Sequence, residues 1–273
     1  MGLRIQNNVE AFNAHRQLNQ TSTNAAKAME KLSSGYRINR AADDAAGLAI
    51  SEKMRAQIGG LDQAQRNAQD GVSMVQTAEG ALNEVHSMLG RIRDLKVQLE
   101  NGTLETADKD AIAAEVKQLG TEITKIGSDT KFNGIALLNT TSAVAFQVGA
   151  NDGETIDANR VDLAGGAAMS GVLAANSTSA FDSLAVSAID AAIDEVSKAR
   201  GDFGAIQNRL EHRLNNLATY QENLVASESR IRDVDMASEM VNFTKLQILQ
   251  QAGTSMLAQA NQAPQSVLSL LRQ

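Results

Sequence analysis

The chain has 273 residues, a formal net charge of −7, no Cys and a single Pro, and only 3% of its residues are aromatic. The lack of Cys excludes disulfides and thiolate metal sites, and an acidic balance without a basic cluster argues against a nucleic-acid surface. No apolar run reaches the length of a membrane span, and residues 1–19 contain no apolar signal segment. From composition alone we expect a soluble, cytosolic protein of long helices.

Residues 3–32 are weakly amphipathic, with isolated apolar side chains among Asn, Gln, Ser and Thr. Such a helix needs a partner, because most helical stability comes from tertiary packing. Ser33–Gly35 breaks the pattern, and Asp43 or Asp44 is placed to cap a second helix that begins near Ala45.

Two long segments, Leu61–Leu99 and Ile189–Ile231, carry a seven-residue apolar repeat. A repeat of this length predicts a narrow seam that winds around a partner helix, so we expect the two segments to pair. The first repeat comprises Leu61, Ala68, Val75, Leu82, Leu89 and Lys96, with the offset set Ala64, Gly71, Ala78, Val85, Ile92 and Leu99. The second comprises Ile189, Val196, Phe203, Leu210, Leu217, Leu224 and Ile231, with breaks at Arg213 and Ser227 in its offset set.

The segment between the two repeats is more varied. A shorter helix is predicted to begin at Thr106 or Asp108. Residues 132–163 alternate short apolar groups with turn residues, which predicts two β-hairpins. Residues 165–183 are rich in small side chains, and we expect a surface loop there.

The C-terminal helix, after Val234, carries an apolar stripe that broadens towards its end. We predict a mostly α fold, an elongated antiparallel bundle of long coiled-coil helices with small β-hairpins, in which the N- and C-terminal helices pair. The predicted domains are 1–42, the N-terminal helix of an inner core domain; 43–232, an elongated helical domain with hairpins near 132–163; and 233–273, the C-terminal helix of the core domain.

No motif for catalysis or metal binding is present. His15, His86 and His212 are scattered along predicted helices without ligand spacing. Residues 151–157 lack the terminal bidentate Glu of a calcium loop, and no nucleophile elbow or phosphate loop occurs. We therefore expect no enzyme activity, no cofactor and no metal.

Three long motifs resemble bacterial flagellin. They are LSSGYRINRAADDAAGLAIS at 32–51, NAQDGVSMVQTAEGAL at 67–82, and the C-terminal run from SESRIRDVDMA at 227–237 to Arg272. Residues 140–187 resemble no family, and the chain is too short for large outer domains. The motifs therefore indicate a minimal flagellin.

The resemblance implies a structural subunit that self-assembles into the helical flagellar filament for motility, and this replaces the cytosolic expectation. The implied partners are other copies of the chain, the flagellar export apparatus and its chaperone, and the filament cap and junction proteins. Export through the flagellar type III pathway, without a cleaved signal peptide, would place the protein in the extracellular flagellum. A hook–filament junction protein is the alternative within the same class, and a coiled-coil binding module outside flagella is the alternative in another.

Two sets of site residues follow. The apolar terminal helices predict a polymerisation interface, because a chain end rarely exposes several large apolar residues unless they bind something. Its residues are Val9, Phe12, Leu18, Leu249, Met256, Leu257, Val267, Leu268 and Leu271. The resemblance also implies recognition by the vertebrate innate receptor for flagellin through Arg91, Leu95 and Glu115, although Gly90, Asp94 and Lys96 depart from the family pattern around them.

Overall fold

The computed structural model describes the backbone of residues 8–175 and 177–271, and the side chains of residues 8–175 and 177–262. The described chain is mostly helical with two antiparallel hairpins, which confirms the predicted fold class. The helices are α1 (Val9–Ser34), α2 (Ala45–Leu99), α3 (Thr106–Asp129), α4 (Ala167–Ala174), α5 (Thr178–Ser183), α6 (Val186–Arg232) and α7 (Met236–Leu271). The strands are β1 (Lys131–Phe132), β2 (Ile135–Ala136), β3 (Ala143–Gln147) and β4 (Thr155–Asn159).

The chain divides into two compact units. The terminal unit comprises residues 1–56 and 223–273, and the central unit comprises residues 57–222. Helices α2 and α6 contribute residues to both units. The domain limits predicted after residues 42 and 232 stay a prediction.

The core of the central unit is the seam between α2 and α6. Every predicted repeat position of α2 from Leu61 to Leu99 is buried, and so are the α6 positions Ile189, Val196, Phe203, Leu210 and Leu217. The two helices run antiparallel, since Arg93 Nε lies 2.6 Å from Asp190 Oδ1 and Gln65 Nε2 donates to Gln221 Oε1 at 2.7 Å. The predicted pairing of the two repeats is therefore confirmed.

Both predicted hairpins are present beside this seam. In the short β1–β2 hairpin, Asn133 and Gly134 have φ of 48° and 79°, the left-handed conformations that a two-residue type I′ turn requires. The β3–β4 hairpin pairs Phe146 with Ile156. It approaches α2 at Gly71, where an added Cβ would lie 3.3 Å from the Phe146 ring and 3.2 Å from Leu210 Cδ1.

The expectation of a surface loop at residues 165–183 is wrong, because this segment folds into α4 and α5. Met169, Val172 and Phe181 are buried against the central core, and the Ala, Met and Leu residues of α4 are themselves good helix formers. Lys96 also lies under α5. Its Nζ donates to the Asp182 carbonyl at 2.9 Å and lies 5.8 Å from the centre of the Phe181 ring, which explains how a lysine occupies a repeat position with its side chain only 2% exposed.

In the terminal unit, α1 ends at Gly35, whose φ of 74° is the left-handed conformation common after a helix. The predicted cap of α2 is Asp44, whose Oδ1 accepts from the Gly47 N–H at 2.8 Å. Asp43 instead closes the preceding loop, and its Oδ2 accepts the backbone N–H groups of Asn39 and Arg40. These hydrogen bonds hold the pKa of Asp43 below its ordinary value.

Candidate self-association surface

Helices α1 and α7 form an antiparallel pair, as predicted. At one end, Asn8 Nδ2 donates to the Ala260 carbonyl at 2.7 Å. Further along, Leu18 packs against Gly253 so closely that a Cβ at position 253 would lie 3.2 Å from Leu18 Cδ1. The absence of a side chain at Gly253 therefore lets the two helices approach each other.

The interface within this pair buries few side chains. On α1 the buried residues are Thr21, Ala25 and Ala28, and none of the α7 side chains from Met236 to Gln262 is buried. Apolar burial stabilises by about 25 cal/mol per Å², so small side chains give this pair little stability. Several large apolar residues of both helices therefore remain exposed and available for another surface.

Four of the predicted interface residues are exposed, namely Val9 (59%), Phe12 (71%), Leu249 (46%) and Met256 (63%). Leu18 and Leu257 are half-buried. Val267, Leu268 and Leu271 belong to α7, but their side chains lie outside the described residues. The structure thus brings exposed apolar residues of both chain ends onto one helix pair, which is the arrangement that a self-association surface requires.

A further part of this surface, on α7, was not predicted from the sequence. A shallow groove of about 480 Å³ on α7 is lined by Met240, Val241, Thr244, Lys245, Ile248 and Leu249. The one-, four- and eight-residue steps from Met240 to Val241, Thr244 and Ile248 mark one helix face, and this spacing was the signal that could have revealed the groove.

The segment that follows α1 and the segment that precedes α7 are joined by backbone hydrogen bonds. Tyr36 and Asp233 form an isolated antiparallel bridge. The Val234 N–H donates to the Gly35 carbonyl at 3.0 Å, and the Arg37 N–H donates to the Arg232 carbonyl at 2.7 Å. The two turns therefore behave as a short two-stranded ribbon, which we call the cross-tie.

Charged side chains surround the ring of Tyr36 in the cross-tie. The guanidinium carbons of Arg55 and Arg232 lie 5.4 and 5.0 Å from the ring centre, within the range of cation–π attraction. Arg55 also donates to the Tyr36 hydroxyl at 2.9 Å, and Glu228 and Glu52 pair with Arg55 and Arg232 respectively. Burial acts to lower the pKa of Arg55, but the hydrogen bond to Tyr36 and the nearby charges of Glu228 and Glu52 together raise this pKa above its ordinary value.

The residues implied in receptor recognition are placed differently from one another. Arg91 Nη2 lies 2.8 Å from Glu115 Oε1, and both side chains are about half exposed. This hydrogen bond and the carboxylate charge raise the pKa of Arg91. Leu95, by contrast, is 2% exposed and belongs to the core. The structure therefore brings Arg91 and Glu115 together on the surface and leaves Leu95 beneath it.

Over the residues that the structure describes, none of the helices has the length and apolar character needed to cross a membrane. In the same part of the chain, no three His, Asp or Glu side chains are grouped so as to hold a metal ion.

Comparisons with known proteins cover almost the whole chain. Residues 5–143 match the bacterial flagellin N-terminal helical region, and residues 186–271 match the bacterial flagellin C-terminal helical region. The chain is 55% identical to a flagellin of Halalkalibacterium halodurans, covering 98% of this chain and 99% of that protein. It is 48% identical to the flagellar filament 33 kDa core protein of Treponema phagedenis, covering 98% and 99%.

A solved structure of a putative flagellar hook-associated protein from Vibrio parahaemolyticus aligns with a TM-score of 0.50. The alignment covers 70% of this chain and 97% of that one, at 16% identity. At this identity the likeness concerns the fold alone.

Proposed function

Because the chain belongs to the bacterial flagellin family, we propose that it is a structural subunit that self-assembles into the helical flagellar filament used for motility. The observation that carries this proposal is the α1–α7 pair, which leaves Phe12, Val241 and Met256 exposed. Val241 belongs to the apolar groove on α7, and an exposed apolar patch of this kind marks a surface that binds a partner. In a homopolymer, that partner is another copy of the same chain.

The proposed mechanism is burial of apolar side chains between subunits, without chemistry at any residue. Complete burial of a Leu, Met or Phe side chain is worth about 1.5–3 kcal/mol. Several such side chains are needed at each contact, because immobilising a flexible side chain at an interface costs about 0.5–1.5 kcal/mol. The apolar residues of the α2–α6 seam are already buried within the subunit, so the seam stabilises the subunit itself. The terminal helices provide the exposed apolar residues for contacts between subunits.

The filament relatives also support proposals for the route and partners of the subunit. We propose that the flagellar export apparatus and a chaperone deliver it through the type III pathway, and that cap and junction proteins contact it at the filament ends. The extracellular flagellum is then its location. A junction protein would be the second candidate function, but no observation on this chain favours it over the filament subunit.

Receptor recognition through Arg91, Leu95 and Glu115 also stays a proposal. The half-exposed Arg91–Glu115 pair supports it, since both groups can be reached from solvent. The buried Leu95 would act only by shaping the surface above it. Loss of receptor binding in R91A, with no loss in K117A, would support a role for this pair.

The test of the main proposal uses the purified full-length chain and a variant that lacks residues 264–273. The intact chain should form long filaments by negative-stain electron microscopy, whereas the truncated chain should keep the circular-dichroism spectrum of the intact monomer and form none. Long filaments of the truncated chain would contradict the role of the C-terminal helix. Failure of the intact chain to form long filaments, even on filament seeds, would overturn the proposed function.

Limited proteolysis gives an independent reading of the same proposal. The α1–α7 pair buries few side chains in one subunit, so a protease should remove residues up to about Ser34 and from about Val234 onwards in the monomer. Assembly should protect both ends. Equal cleavage of monomer and filament would count against burial of this surface between subunits.

A further inference from the structure

A second concave surface lies in the central unit, between the β3–β4 hairpin and α6. We call it the hairpin cleft, and its volume is about 600 Å³. Its α6 side is formed by Arg209, His212, Arg213 and Asn216, and its hairpin side includes Glu154 and Thr155. The α6 residues recur at three- and four-residue steps and therefore face one way.

Arg213 is one of the two breaks in the apolar repeat of α6, and its contacts in the hairpin cleft explain it. Its Nε donates to the Val148 carbonyl at 2.9 Å, and its Nη2 lies 3.8 Å from Glu154 Oε1. Arg213 therefore contacts the β3–β4 hairpin instead of packing in the α2–α6 seam, and it links that hairpin to α6. Its guanidinium forms the base of the hairpin cleft.

Glu154 is the one carboxylate among the described residues that line this cleft. It is folded back on its own loop, where Oε2 accepts from the Asn151 N–H at 3.2 Å. Gly149 makes this possible, since a Cβ at that position would collide with the carboxylate. Glu154 is thus held beside Arg213, and no hydrogen bond or ion pair among the described side chains joins it to the outer part of the cleft.

Arg209 and His212 form that outer part. Both are exposed, and no hydrogen-bond or ion-pair partner for either occurs among the described side chains. With two guanidinium groups against one carboxylate, the cleft has a formal charge of +1 when His212 is neutral. It therefore offers positive charge, and N–H donors without a described protein partner, within a protein whose net charge is −7.

We propose that the hairpin cleft receives an exposed carboxylate of a second copy of this chain, as a lateral contact in the polymer. This inference rests on the proposed function. Identical subunits of net charge −7 repel one another when they pack, and a contact that brings a cationic patch against an acidic one reduces this repulsion. In a helical polymer the two patches are different surfaces of the same chain, and a cleft with free cations is suited to be one of them.

The chain also supplies suitable acids. Asp70 and Glu84 are exposed on α2, and neither has an ion-pair partner in the described part of the chain. Within a polymer, the carboxylates of a neighbouring subunit are present at a high effective concentration. A dissolved anion that binds weakly does not reach a comparable concentration at the cleft. An inorganic oxyanion or an acidic polysaccharide would meet the same donors, and the test separates these occupants from a second copy.

The first experiment compares the full-length variants R209E and K117E, which change net charge equally. Lys117 is exposed on α3, outside the hairpin cleft. The critical concentration for assembly, measured by sedimentation, should rise about two- to tenfold in R209E, the range expected from reversing one exposed ion pair, and stay near the wild-type value in K117E. The difference should shrink between about 0.1 M and about 1 M NaCl, where the Debye length falls from about 10 Å to about 3 Å.

Equal critical concentrations for R209E and K117E would overturn the inference. The proposed function would still stand, because wild-type assembly is measured in the same series. Unchanged monomer melting in R209E is the expected control, since Arg209 has no described partner to lose.

The second experiment identifies the occupant directly. The chain has no Cys, so H212C carries a photo-crosslinker at a single place. Filaments are formed from a mixture of ¹⁵N-labelled and unlabelled subunits. Mixed-isotope crosslinks to a peptide with an exposed Asp or Glu would support the proposal. Crosslinks within one copy only, or a cleft that binds sulfate equally in monomer and filament without crosslinking copies, would overturn it.

Discussion

Substitution of Phe12 by Ala should separate folding from assembly. Phe12 is 71% exposed on α1, so the side chain contributes little to the monomer. Complete burial of a Phe is worth about 1.5–3 kcal/mol, and about seven-tenths of that gain is still available when subunits pack, or about 1–2 kcal/mol. At about 1.4 kcal/mol for each factor of ten, the critical concentration for assembly should rise about 5- to 30-fold.

The assay is sedimentation of F12A filaments over a range of subunit concentrations, beside thermal unfolding of the monomer followed by circular dichroism. Val97→Ala is the matched control, because Val97 is a 53% exposed apolar residue of the central unit. V97A should assemble close to the wild-type concentration. The reasoning would be refuted if V97A raised the critical concentration as much as F12A, or if F12A lowered the monomer melting temperature in proportion to its assembly defect.

Three other predictions concern the folded subunit. Gly71→Val should destabilise the monomer by about 1–3 kcal/mol, because the added side chain overpacks the contact with Phe146 and Leu210. Gly80→Ala should stabilise the monomer by about 0.5–1 kcal/mol, since no neighbouring atom lies within 4 Å of the added Cβ. Urea unfolding measures both changes, and a stabilising G71V would contradict the packing described. Lys96→Ala should cost about 2–4 kcal/mol, since it leaves a cavity and removes a charged donor from the Asp182 carbonyl, and faster hydrogen exchange in α5 would locate the loss. The pKa of Asp43 is lower in the folded chain than in the unfolded chain. The contribution of ionised Asp43 to the free energy of unfolding is therefore fully present above the unfolded pKa of about 3.9 and is lost as pH falls through the lower folded pKa. An acid titration should show a smaller loss of stability in D43N than in the wild type, and equal losses would exclude Asp43 as a source of acid sensitivity.

The long helices could be predicted because their signal is local and repeated. Every α2 repeat position from Leu61 to Leu99 is buried, including Lys96, since a seven-residue period fixes which face meets the partner helix. The seven-residue period does not predict which groups contact a polar side chain at a buried repeat position. Lys96 contacts the Asp182 carbonyl and the Phe181 ring of α5, which lies far from it in the sequence.

The errors and omissions arose where burial depends on distant segments. Residues 165–183 contain Gly, Ser and Thr residues that are common in loops, but α4 is rich in good helix formers, and packing against the central core buries one face of α4 and α5. Leu95 lies outside both repeat sets, so its burial could not be read from the pattern. On α7 the sequence shows that Met240 and Ile248 are apolar, but not whether an intramolecular partner covers them, and the exposed groove was missed for that reason.

The cross-tie has a mechanical consequence. Because hydrogen bonds join Gly35 to Val234 and Arg37 to Arg232, the two bends in the chain act as one joint with two arms. A pull on α1 loads the same bonds as a pull on α7, and the contacts of the Tyr36 ring with Arg55 and Arg232 add to the connection. Force that reaches either end of the subunit is therefore shared between both strands before it enters the long helices.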